Sequence, residues 1–148
     1  MSQTSTNDAS LRATSPFGGA EAAHWFFDTA SDLFAVVSPE GRFTTVNPAW
    51  TVLTGWSPDE LLGEHTIKFV HPDSQAELRD TARRIQETGF TVNELRVRCK
   101  DGRWIWLQGR SRLGPNGELV GVLHDISSEV EGRAELAAAR RTREMLAE

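Results

Sequence analysis

Three runs in the second half of the chain alternate apolar and polar side chains, and the strongest turn signals in the sequence separate them. They are "TVNELRVRCK" (91–100), "RWIWLQGRSRL" (103–113) and "ELVGVLHDI" (118–126), with Asp101-Gly102 and Pro115-Asn116-Gly117 between them. A period of two is that of a strand with one buried face, and turns this short join antiparallel neighbours. The pattern therefore commits the chain to an antiparallel meander with a wet face and a dry one. Cost fixes the phase, because Glu94 and Arg96 cannot be buried unpaired. Leu95, Val97 and Cys99 then point inward, as do Ile105, Leu107 and Gly109 on the next run and Leu119, Gly121 and Leu123 on the last.

The first half supplies the remaining elements. "DLFAVV" and "RFTTVN" flank "SPEG", which reads as strand, tight turn, strand. "EAAHWFFDTA" (21–30) places Ala23, Phe26, Phe27 and Ala30 on one helical stripe, with Trp25 beside it. Asn47-Pro48 opens a helix that Gly55 stops, and Ser57-Pro58-Asp59-Glu60 starts another that ends at Gly63. His71-Pro72-Asp73 leads into "SQAELRDTARRIQETG", closed by Gly89. The fold class is α+β: a five-stranded antiparallel sheet with short helices on one face, flanked by N-terminal and C-terminal helices. The expected divisions are a disordered leader over 1–19, an N-terminal flanking helix over 20–31, a domain over 32–127 and a C-terminal helix over 128–148.

Bulk properties narrow the function. A length of 148 residues, 39% of them hydrophobic, suits one domain with a core and tails. The net charge of −5, with 16 basic residues interleaved among acids, argues against a nucleic-acid or membrane-surface footprint. A single cysteine, Cys99, excludes an internal disulfide and a multi-cysteine metal site, and fits a reducing compartment. No apolar run approaches the ~20 residues of a membrane span. The N-terminus lacks a secretory pattern, so a cytoplasmic location is expected. No His/Asp/Glu group has the spacing of a metal site, and none is expected.

Six segments, "PEGRFTTVNPAW", "LTGWSPDELLG", "FVHPD", "RCKDGRWIWL", "PNGELVG" and "DIS", recur in this order between Asp32 and Ser127. Together they resemble the PAS domain family, the sensory modules of bacterial signalling proteins. The resemblance implies a PAS sheet whose inner face and short helices enclose a pocket. Its expected lining is Leu95, Val97, Ile105, Leu107 and Leu123 from the sheet, with Phe34, Trp50, Leu53, Trp56 and Phe69 as partners. This lining holds no carboxylate or imidazole for acid–base chemistry, and no kinase or cyclase signature follows Ser127. No catalytic residue is assigned, and the chain is not expected to be an enzyme.

Particular cofactors can be weighed through the same resemblance. Flavin-binding light-oxygen-voltage relatives place amide side chains at positions matching Val97, Leu107 and Leu123, and a cysteine in the segment matching "EHTIKFV". This sequence has neither. Haem-binding relatives use a His on the long helix before the third strand, and that helix has none. A flavin photoadduct and haem are thus disfavoured, and an unidentified small ligand or a packed core remains.

The outer face and the C-terminus point to partners. Trp104, Trp106 and Val122 face outward, and Trp25 and Phe26 on the first helix provide a cover or a dimer seam. A homodimer is expected. "DIS" matches the junction at which PAS domains pass into a signalling helix. Asp125, Ile126 and Ser127 end the strand, and Ser128 with Glu131 reads as a capping box for the helix beyond. Leu136, Ala139, Arg143 and Leu146 follow at coiled-coil spacing. The expected function is a regulatory sensor in signal transduction that acts through this helix on a downstream domain or partner, a two-component histidine kinase or a cyclic-dinucleotide enzyme. The alternative is a ligand-free dimerisation and docking module.

Overall fold

The alternating runs form the expected meander in the computed structural model, which describes residues 19–147. The strands are β1 (Leu33–Val37), β2 (Phe43–Val46), β3 (Phe90–Arg98), β4 (Trp104–Leu113) and β5 (Leu119–Asp125). They build one antiparallel sheet in the order β2-β1-β5-β4-β3. Gly102 and Gly117 sit at φ 95° and 81° in the turns on either side of β4, a conformation that a side chain at these positions would strain. β1 pairs with β5 from Leu33↔Leu123 to Val37↔Leu119, so the first and last strands meet mid-sheet. The flanking helices α1 (Gly19–Thr29) and α5 (Ser127–Ala147) therefore leave the same end of the sheet. Gly19 opens α1, and the rest of the expected 1–19 leader lies outside the described residues.

Between β2 and β3 the chain crosses the inner face as α2 (Ala49–Thr54), α3 (Pro58–Leu61), two short 3₁₀ turns and α4 (Gln75–Thr88). Ser57 caps α3 with a reciprocal capping box to Glu60. The core joins Leu33, Ala35 and Phe43 to Trp50, Leu61, Phe69, Leu95, Val97, Cys99, Ile105 and Leu107. Its aromatic members meet edge-on, Phe43 with Trp50 at 5.2 Å and Trp56 with Phe69 at 5.3 Å between centroids. Both indole N–H groups find acceptors: Trp50 Nε1 donates to the Phe34 carbonyl and Trp56 Nε1 to the Arg98 carbonyl. Burial raises the pKa of the Cys99 thiol, which makes it a packing residue.

One expected inner residue lies on the other side of the sheet. In "LFAVV" both faces are apolar, so alternation cannot choose the phase. The structure turns Leu33 and Ala35 inward and leaves Phe34 half-buried outside, against Phe27 of α1 at 6.2 Å. The larger ring is accommodated there by the helix that precedes it.

Asn47 ties three segments together. Its Oδ1 accepts from the Phe34 amide at 2.9 Å, and its Nδ2 donates to the carbonyls of Asp32 (3.0 Å) and Phe27 (3.2 Å). The side chain is almost fully buried and secures the end of α1, the start of β1 and the turn into α2. Asn47→Ala should cost about 2–4 kcal/mol, because it orphans buried backbone groups as well as removing bonds. Denaturant unfolding should show that loss, with faster amide exchange at residues 27–34. An unchanged midpoint would mean that these backbone groups find other partners.

Candidate functional site

The inner face is filled at one end and open at the other. At the start of β4, Ile105 and Leu107 are sealed in the core. Further along the same strand, Gly109 and Ser111 stand where large side chains would be needed to fill the space, and β5 repeats the omission at Gly121. A cavity of about 370 Å³ results. Leu78, Thr81, Ala82 and Ile85 of α4 wall one side, and residues 38–41 with His65–Ile67 wall the other. This size is within the range of small-molecule sites.

The expected lining residues divide between cavity and core. Trp50, Phe69, Leu95, Val97 and Leu123 line the cavity. Ile105 and Leu107 belong to the core cluster, and Leu53 and Trp56 pack against it without reaching the cavity. Phe34 is on the opposite face. Val97 and Leu123 offer no hydrogen bond to a flavin ring, and Leu107, the third position used in light-oxygen-voltage relatives, is out of reach.

Sequence reasoning missed the polar part of the wall. Asn93 and Ser111 are buried inner-face residues lining the cavity, and Thr81 of α4 faces them. Asn93 Nδ2 donates to Thr81 Oγ1 at 2.7 Å, and Thr81 Oγ1 donates to the Glu77 carbonyl at 2.9 Å. Their phase gives them away: 93 and 111 are in step with Leu95 and Gly109. At the far wall, His65 Nδ1 accepts from the Ile67 amide, so the neutral ring carries its proton on Nε2. Among the described residues, no group of three or more metal-ligating side chains comes together.

β5 passes from the cavity into a clasp. Trp106 of β4 brackets the strand's end: its carbonyl accepts from the Ile126 amide at 2.9 Å and its amide donates to Ser127 Oγ at 3.0 Å. Asp125 Oδ1 accepts from the Ser127 amide at 2.9 Å, and Ile126 is buried. The expected Ser128–Glu131 capping box is not what starts the helix. α5 begins at Ser127, one residue earlier, because Asp125 already satisfies that amide; Ser128 lies inside the first turn. Arg133 then pairs with Glu94 of β3 at 3.2 Å, holding α5 against the outer face.

Outside, Trp104 meets the edge of the His71 ring at 4.5 Å, and the Arg96 guanidinium lies about 6 Å from both Trp104 and Trp106. His71 also accepts from the Asp73 amide, fixing the turn before α4. The contact of α1 with the sheet runs through Phe27 on Phe34, while Trp25 packs edge-on to the exposed Phe26. Val122 stays exposed beside Phe34.

Comparison with known proteins agrees with this architecture. Residues 43–123, more than half of the chain, match the family model described as PAS fold. The PAS domain of a protein from Colwellia psychrerythraea superposes with a TM-score of 0.66 at 20% identity, covering 74% of this chain and 98% of that one. A domain of the sensory box sensor histidine kinase/response regulator from Geobacter sulfurreducens gives 0.64 at 23% identity, covering 72% and 93%. In sequence, Protein cycle of Drosophila melanogaster is 30% identical over 81 residues, which are 53% of this chain and 20% of that protein. The chain thus spans about a fifth of this curated relative. It belongs to the PAS fold family. Among the described residues, no helix is long and apolar enough to cross a membrane.

One polar contact links the two strands from which the flanking helices leave. His124 Nδ1 lies 2.8 Å from Asp32 Oδ1, and this hydrogen bond raises the histidine's pKa above its usual value of 6.5. A raised folded-state pKa stabilises the protein below the unfolded pKa, and the contribution fades as pH rises through the folded value. His124→Gln should therefore lower the melting temperature at pH 6 by a small amount, since the pair is exposed. The difference should shrink by pH 9. A deficit that stays constant across that range would assign His124 a packing role.

Proposed function

We propose that the chain is the sensory module of a signalling protein, in which a small molecule in the cavity biases the β5–α5 junction. The observation that carries this reading is that one strand serves both ends. Leu119, Gly121 and Leu123 of β5 line the cavity, and two residues later the same strand enters the Trp106–Ser127 clasp. A ligand that repositions Leu123 acts on the strand from which α5 leaves. It shifts the junction by its difference in affinity between the two arrangements. The likeness to a domain of a sensory box histidine kinase supports an effector of that kind downstream, with a cyclic-dinucleotide enzyme as the other candidate.

A homodimer is part of the reading. Leu136, Met145 and Leu146 are exposed along α5, as are Trp25 and Phe26 on α1, and α5 buries none of its residues within one protomer. The exposed Val92, Val120 and Val122 of the outer face favour the second reading, a docking module that needs no ligand. Native mass spectrometry separates the two. The sensor reading expects a dimer that retains a small molecule or takes one up from a cell extract; a bare mass under both conditions favours docking.

The junction has its own test. Asp125→Ala should cost about 1–2 kcal/mol, because it removes a cap but leaves the core intact. Hydrogen exchange at residues 127–133 should accelerate while β3 and β4 keep their protection. Unchanged exchange there would mean that Ser127 and Ile126 hold the helix without the carboxylate.

A further inference from the structure

The cavity contains a buried acceptor with no donor. Asn93 is 7% exposed, and its Oδ1 is buried without a hydrogen-bond partner. The assignment of its two amide atoms is not arbitrary. Thr81 has one hydroxyl proton, which it gives to the Glu77 carbonyl, so toward Asn93 it can only accept. The atom facing Thr81 at 2.7 Å is then the amino nitrogen, and the oxygen is left without a partner. That oxygen lies over Gly109: a Cβ built there would stand 2.6 Å from it and 3.7 Å from Leu123 Cδ2. Asn93, Gly109 and Leu123 all line the cavity. The missing side chain at 109 thus gives the amide oxygen room to lie against β4 at the cavity wall.

A buried acceptor without a donor is costly, and a ligand that brings the donor recovers that cost on binding. We propose that the cavity takes an uncharged, largely apolar molecule carrying one N–H or O–H group, and that Asn93 Oδ1 receives that proton donor. The inference rests on the ligand-sensing reading above and names the chemistry of its ligand. An anionic ligand is disfavoured because the lining holds no buried lysine or arginine. The charged side chains of Arg79 and Glu40 are exposed and belong to the mouth, not the interior. Leu123, half-buried, lies over the same glycine, so a donor that reaches Asn93 passes beside a side chain of β5, which couples recognition to that strand.

Isosteric pairs that differ only in the donor test this directly: indole against indene, and p-cresol against p-xylene. Binding is read by amide chemical-shift titration of the full chain, with cavity residues as reporters. The donor-bearing member should bind about tenfold tighter in each pair. Asn93→Leu should abolish that preference while leaving the ligand-free melting temperature unchanged or raised. Gly109→Ala, which forces the amide oxygen away, should reduce the preference without touching Asn93. Equal affinity within the pairs, or a preference that survives both substitutions, overturns the role of Asn93 and leaves the sensing reading standing. If no member of either pair shifts cavity residues, both the donor rule and the ligand-sensing reading fall. A lower melting temperature for Asn93→Leu with the preference intact would make the residue structural and overturn the proposal.

Discussion

The pairing of β1 with β5 is the constraint on which the rest of the molecule depends. Five residues at the start of the domain pair with five near its end, across more than eighty positions of chain. Such a contact carries a loop-closure cost that no local structure repays. Once formed, it places the two flanking helices at one end of the sheet and puts β5 in the middle. A central strand feels both faces and both neighbours, and here it also continues into α5.

The cavity is a local departure from close packing. Protein interiors are filled to crystal-like density, and space is normally closed by larger side chains. Here β4 and β5 carry Gly109, Ser111 and Gly121 where Leu or Ile would fit the alternation, and α4 offers Ala82. The cost is concentrated at one end, while Leu61 and Leu107 seal the other. This separation lets a fold keep a firm core beside a vacancy. It also explains why Asn93 can sit inside: its amide finds Thr81 on the helix that covers it, and only one of its atoms goes without.

The sheet was legible because alternation, turn residues and the cost of burying charge all agree over 91–126. Where one of these signals fails, so does the reading. In "LFAVV" there is no polar residue to set the phase, and size misassigned Phe34 to the core. At 127–128 the sequence offers Ser128 as the cap, and the helix starts one residue earlier because the Asp125 carboxylate accepts from the Ser127 amide. Asn93 and Ser111 were passed over because a polar residue at an inward position breaks the pattern by which inward positions are recognised. A break in alternation at a phase fixed by its neighbours marks a buried polar group, and Asn93 and Ser111 are two that line the cavity.

α5 is held in a different way from the sheet that it leaves. Its 21 residues include Gly132, and none is buried, so propensity alone would leave it marginal in water. What holds it to the sheet is confined to its start: the Asp125 cap, the Trp106–Ser127 bond, the buried Ile126 and the Arg133–Glu94 pair. An exposed ion pair adds little to stability. The direction of the helix is thus fixed by a few bonds within two turns, whereas the sheet is fixed by dozens of contacts. A change in β5 therefore meets α5 at a junction held by those few bonds, where the fold itself is not at stake.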